Sequence, residues 1–559
     1  MSTDNKPQLT YPHLYFREPN PLADGNYPGF APGSRVADGM RIDRDVEIPV
    51  RDGSVLYADV HRPADPGTAP LPVLISWGPY GKHGGRSTAP SRSAASGVDP
   101  SWVSPYAAIE APDPLFWCRH GYAVVYVDPR GTWSTPGDYT LASEQEAQDF
   151  HDAIEWAGTR DWSNGKVGLS GVSYLSIAQW RVAATRPPHL AAINPWEGLT
   201  DFYRDIAYHG GIPETGFMEV FARHSLGYSS TRVEDLERLA AEHPFDDAYW
   251  DAKRAVLENV EVPAYVVASW SNQGLHGRGT LEGFKRISSA HKWLEVHGRK
   301  TWEYYYRPEN VASQLKFFDW ALKGEDNGWT DRPKVLTEVR ERANAGYVAQ
   351  EREWPIARTE YVPLHLDAAQ GTLVDKPPLA EAEVSYPVQD GDGVGGTRFS
   401  YAFTERTRLT GHAKLRLWLE ARGSDDADVF VALRKKDASG REVPFPFFAL
   451  YDNGPIALGW LRASHRALDE RRSTPWQPWH RHDREELLEP GVPVALDIEI
   501  WPSSTLFEPG ESLEVVVQAG DVVTGVLPGH RVTRNAGDHV IRTGGRFDSH
   551  LLVPVVADE

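Results

Sequence analysis

Apolar residues along the chain change their spacing twice, and the changes divide it. The first strand-like runs are Val46–Val50 and Leu56–Val60, joined by Arg51-Asp52-Gly53-Ser54, which predicts an opening hairpin. Leu71–Trp77 and Ala123–Asp128 are almost wholly apolar, as expected of strands buried on both faces of a parallel sheet. Between later strands the period becomes helical. Ser143-Glu144-Gln145-Glu146 reads as a capping box opening a helix with Ala147, Phe150, Ala153, Ile154 and Trp156 on one face. A strand at Val167–Ser170, a tight turn and a helix from Tyr174 to about Thr185 follow, the helix being stopped by Pro187-Pro188.

Strands at Leu190–Asn194 and Ala264–Ser269 bracket a polar, helix-prone insertion whose clearest helix is Asp235–Glu242, and such an insertion is expected to cover the C-terminal edge of the sheet. Trp293–His297 is one more strand, before a helix carrying Leu315, Phe317, Phe318 and Leu322. Past about residue 350 the period is two: Leu415, Leu417, Leu419; Val429, Val431, Leu433; Leu496, Ile498, Ile500; Leu513, Val515, Val517. The expected organisation is an extended arm over 1–35, an α/β domain over 36–199 and 260–345, a helical cap over 200–259 and a β-sandwich or jelly roll over 350–559.

Bulk composition narrows what such a chain does. Its 559 residues exceed what one core holds, and 41% hydrophobic with 24% charged residues is ordinary for a globular protein. A formal net charge of -20 argues against nucleic acid and anionic membrane as partners. The lone Cys118 has no internal disulfide partner, no run of about 18 apolar residues occurs and no secretory signal opens the sequence, so the default expectation is cytoplasmic. The 20 Trp and 23 Tyr suit an apolar pocket and a large core equally.

The candidate chemistry centres on Gly171-Val172-Ser173, which lies between a buried strand and a helix. That turn lifts a serine hydroxyl above the sheet edge at a helix N-terminus, making Ser173 the candidate nucleophile. A serine needs an imidazole to take its proton, and in the α/β-hydrolase order the histidine comes last. His297, ending the last apolar strand, fits that place, with His276 the next candidate. His480-Arg481-His482-Asp483 superficially resembles a metal site but lacks a second ligand pair, and Gly84-Gly85 lacks the Lys-Ser/Thr of a phosphate loop; no metal and no cofactor is expected.

Gly171-Val172-Ser173-Tyr174, Asp128-Pro129-Arg130-Gly131-Thr132, Trp77-Gly78-Pro79-Tyr80, Val296-His297-Gly298, Leu461–His465 and Asp548–Leu552 together resemble the cocaine esterase and X-prolyl dipeptidyl peptidase family of serine hydrolases (CocE/NonD, peptidase S15-like). The resemblance implies an α/β-hydrolase domain with an inserted helical cap plus a C-terminal all-β jelly-roll domain. It also implies an oxyanion hole made by the Tyr80 hydroxyl and the Tyr174 amide. Two positions depart from the family pattern. Ser176 replaces a glycine, still small enough for helix to pack on strand, and Trp270-Ser271-Asn272 puts an amide where the family pattern Trp-x-Asp has its acid. An amide there favours the wrong imidazole tautomer, a loss on the order of 10⁴ in a serine protease. Glu197 is therefore the preferred acid, ahead of Asn272 and then Asp201.

The expected function is hydrolysis of a carboxylic ester, or an amide, through an acyl-enzyme on Ser173 with His297 as base. Removal of N-terminal dipeptides is the alternative; it needs an anionic site for the substrate amine, for which Glu214 is a candidate. A non-catalytic carbohydrate- or ligand-binding protein with a retired site is the alternative from another class. The expected partner is a small-molecule ester or amide, and homo-oligomerisation is left open.

Overall fold

The computed structural model describes residues 14–20, 29–65, 67, 69–83, 93–391 and 393–557. Most of the expected arm and the Gly84-Gly85 pair lie outside them. The opening hairpin forms as β1 (Met40–Pro49) and β2 (Val55–Pro63), antiparallel. β2 pairs antiparallel with β4 (Ala123–Asp128), and from there the sheet is parallel. Its order runs β4, β3 (Leu71–Trp77), β5 (Ser163–Val172), β6 (Leu190–Trp196), β7 (Ala264–Ser269), β8 (Lys292–His297) and β9 (Val335–Arg342). Every residue of β3, β4 and β7 is buried, which is why these runs lack polar alternation.

Helix α1 (Glu144–Gly158) opens as expected, the Glu146 amide donating to Ser143 Oγ at 3.0 Å. The reciprocal half of the capping box is absent, because the Glu146 carboxylate turns inward to accept from Trp77 Nε1 at 2.9 Å and Tyr174 Oη at 2.8 Å. Helix α2 (Tyr174–Ala184) follows β5 directly, and α3 (Gly277–Arg286) follows β7. A short α4 (Thr301–Tyr306) follows β8.

The 200–259 segment is helical in short pieces, among them the α-helical Phe217–Val220, Leu236–Glu242 and Ala248–Asp251, and it carries an ion network of Asp201, Arg204, Asp246 and Arg254. It lies between the sheet domain and the C-terminal half: Phe221 meets the Tyr174 ring, and Phe217 meets Phe448.

The C-terminal half is all β. Glu360–Asp367, His550–Val555, Thr407–Arg422, Asp538–Thr543 and Ala382–Pro387 pair antiparallel. Gly396–Ala402, Ser512–Gln518, Asp428–Lys436 and Ala457–Arg462 form a second antiparallel array. Leu415, Leu417 and Leu419 of the first share one core with Val429, Val431, Val515 and Val517 of the second, as the period-two pattern requires. The halves are joined at β9, where the buried Arg340 donates to the carbonyls of Ser504 at 3.1 Å and Ile456 at 3.0 Å.

Candidate active site

Ser173 sits at the β5–α2 junction with φ 58° and ψ -119°, a strained conformation for a residue with a side chain. Only a tight approach permits the turn. Gly171 has φ +150°, and a Cβ on it would lie 2.5 Å from Leu175 Cβ. Ser176 packs closely on Gly198, where an added Cβ would come within 2.2 Å of its hydroxyl, so the small side chain does keep the helix close.

Tyr80 follows β3 and is held from two sides. The Trp133 indole donates to the Pro79 carbonyl at 2.8 Å, and the Lys82 amide donates to Asp128 Oδ1 at 2.8 Å. The Tyr80 phenol faces the Ser173 hydroxyl and the Tyr174 backbone, and burial together with the Glu110 carboxyl raises its pKa well above the ordinary value, so it stays protonated. The Tyr80 phenol and the Tyr174 backbone thus lie together beside Ser173.

The histidine against Ser173 is His276, with Nε2 at 3.0 Å from Oγ. This corrects the expected Ser173–His297 pair. His297 Nε2 lies 3.1 Å from Glu197 Oε1, its Nδ1 accepts the Arg299 amide at 3.2 Å, and its ring stacks on Tyr304 at 3.8 Å. Both its nitrogens are occupied, so none is left for the serine. His276 reaches Ser173 because the chain turns back after β7 and sets it at the N-cap of α3, beside the Ser173 turn. His276 Nδ1 accepts the Leu199 amide at 3.2 Å, so among the described residues no carboxylate backs it. Burial lowers its pKa to about 3.

Glu197 is fully buried at φ 46°, just past β6, and is satisfied by His297, by Asn272 Nδ2 at 2.8 Å and by Thr301 Oγ1 at 2.8 Å. The preferred acid therefore belongs to His297. Asn272 touches both groups: its Nδ2 donates to Glu197, and its Oδ1 accepts the His276 backbone amide at 3.3 Å. A carboxylate at 272 would face Glu197 without a proton between them, which explains the amide.

Asp201 is taken by Arg204 at 3.0 Å and Arg254 at 2.7 Å. Glu214 accepts the amides of Gly216, Phe217, Met218 and Gly529 at 2.7–2.9 Å, and so braces the 200–259 segment against the C-terminal half instead of presenting a charge to a substrate amine. His482 Nδ1 meets His465 Nδ1 at 3.0 Å. Asp45, Asp59 and His83 come together as metal ligands can, but the Lys82 ammonium already lies 2.8 Å from Asp45.

Glu110 was not singled out in the sequence, although a lone carboxylate in Ala108-Ile109-Glu110-Ala111 is a visible signal. It has φ 62°, accepts from Trp302 Nε1 at 2.8 Å, and lends its carbonyl to the Val172 amide at 3.0 Å. Burial, with the Glu197 charge adding to it, raises its pKa to about 8.

Residues 52–302 match the S15 family of X-Pro dipeptidyl-peptidases, and residues 327–552 match the C-terminal non-catalytic domain of X-Pro dipeptidyl-peptidases. A CocE/NonD family hydrolase from Staphylococcus aureus is 39% identical, with a TM-score of 0.89 over 99% of both chains. The cocaine esterase of Rhodococcus is 26% identical over 62% of this chain, an alignment spanning 63% of that esterase's own length. An α-amino acid ester hydrolase, 19% identical with a TM-score of 0.67, shares the fold over 99% of this chain. No described helix is long and apolar enough to cross a membrane.

Proposed function

The chain belongs to the CocE/NonD family of hydrolases, and on that premise we propose that it cleaves a carboxylic ester through an acyl-enzyme on Ser173. The carrying observation is Ser173 on its strained turn, 3.0 Å from His276 Nε2 and faced by the Tyr80 phenol. Tyr80 and the Tyr174 amide serve as the oxyanion donors, each worth roughly 10²- to 10³-fold in rate where such donors have been removed.

His276 is the base in this reading. The Leu199 amide at Nδ1 leaves the neutral ring's proton on Nε2, so at rest His276 donates to Ser173. Taking the serine proton requires the other tautomer, at the cost of the Leu199 bond. Without a carboxylate the resulting imidazolium gains no stabilisation, which makes turnover slow and favours esters with good leaving groups over amides, whose nitrogen must be protonated to depart.

We read the 200–259 segment as a cap and the C-terminal half as a jelly roll. Phe217 and Phe221 of the former pack on each other, Phe221 meets the Tyr174 ring and Phe217 meets Phe448 of the latter, and in this reading that aromatic cluster favours an apolar acyl or alcohol part. A cytoplasmic setting is part of this reading and rests on the lone Cys118.

Labelling with a fluorophosphonate tests the proposal. The intact protein is expected to label at Ser173, and Ser173→Ala is expected to abolish labelling and ester hydrolysis. An intact protein that fails to label supports the retired-site reading, which the carboxylate-free His276 favours. Rates on prolyl dipeptide anilides against short nitrophenyl esters separate peptidase from esterase.

A further inference from the structure

The mechanism above leaves one buried acid beside the nucleophile unused. Glu110 is 5% exposed: its Oε1 takes the Trp302 indole proton, its Oε2 is buried, and the Tyr80 phenol is the other side chain hydrogen-bonded to the carboxyl. A buried carboxylate with only neutral donors beside it is expensive to ionise; a carboxylic acid whose O–H points at an acceptor is not. The groups facing it are Tyr80 from the loop after β3, Glu197 from the end of β6 and Tyr305 from α4. None of these is a cation, and the negative charge of Glu197 opposes ionisation.

We propose that Glu110 is a positioning residue for the oxyanion hole: as a neutral acid with its proton on Oε2 it donates to the Tyr80 phenol oxygen, leaving the Tyr80 proton free to point at the oxyanion. A hydroxyl has one proton and two acceptor lone pairs, so the direction of one bond sets the other. Once Glu110 ionises, it becomes an acceptor only. The Tyr80 proton then turns to the carboxylate, and the hole keeps only the Tyr174 amide. The pKa of about 8 places this switch at the alkaline edge of neutrality. His276, neutral from far lower pH, does not titrate in that window. This inference rests on Tyr80 being an oxyanion donor.

The test compares ester hydrolysis at pH 7 and pH 9 within each variant, by kcat/KM. Wild-type activity is expected to fall about tenfold between them, as a group titrating near 8 loses all but about a tenth of its protonated form one pH unit higher. Glu110→Gln, a permanent amide donor, is expected to hold its ratio near one; a fall matching the wild type overturns the proposal. Infrared difference spectra of wild type against Glu110→Gln provide a readout independent of turnover. A protonated-carboxyl band at pH 7 that disappears by about pH 9.5 supports it, and no such band at pH 7 overturns it. Should Glu110→Gln not fold, Tyr80→Phe serves: slow but with a ratio near one is expected, and a wild-type fall overturns the proposal. Failure of Ser173 to take the fluorophosphonate would instead overturn the hydrolase reading, so the two failures are told apart.

Discussion

Two histidines stand at the C-terminal edge of the same sheet, and each has what the other lacks. His276 holds the serine at 3.0 Å but has a backbone amide where an acid would orient it. His297 holds a carboxylate at 3.1 Å but has no nitrogen free for the serine. The parts of a triad are all present, divided between neighbouring clusters, with Asn272 hydrogen-bonded to both. Proximity of the right residue types is thus not enough. The acid works only if its charge is spent on the ring that takes the serine proton.

The largest effect should come from removing the histidines singly. His276→Ala should cost about 10²- to 10⁴-fold in esterase rate, whereas His297→Ala should cost less than about tenfold and lower the melting temperature instead, since Glu197 loses a donor. A larger rate loss in His297→Ala would return the base role to His297.

Acid stability sharpens the contrast next. Burial lowers the pKa of His276 and His412 to about 3 and of His480 and His465 to about 4, from 6.5. Between pH 6.5 and 4 the unfolded chain binds protons at these sites that the folded chain does not, so stability falls as pH falls through that window, by about 1.4 kcal/mol per pH unit for each proton. Denaturant melts at pH 5 and pH 7 should show this, and replacing the buried His412 by Gln should flatten the slope by one proton.

Asn272→Asp is expected to destabilise by about 1–3 kcal/mol in the same melts, because it exchanges the donor to Glu197 for a second carboxyl. The smallest effect belongs to Glu197→Gln, whose rate should change less than about threefold. A loss near 10⁴ would show that Glu197 backs the catalytic ring after all.

Much of this was legible in residue order. Ser173 could be found because strand, small-residue turn and helix are contiguous, and the two-residue period past 350 needed no partner to be read as paired sheets. His297 was equally visible as a histidine ending a strand, yet its ring direction depends on Tyr304 and Glu197, which come from another helix and another strand end. His276 came only second to it because nothing but the turn after β7 brings it to Ser173, 103 positions away.

The sequence by itself determined the sheet, the Ser173 turn and the division into an α/β half and an all-β half, since these follow from periodicity and local backbone preference. Only the tertiary structure decided which histidine serves Ser173 and where the carboxylate of Glu197 is spent. Those choices are made by single hydrogen bonds about 3 Å long between side chains distant in sequence, a scale on which the pattern of residues along the chain carries no information.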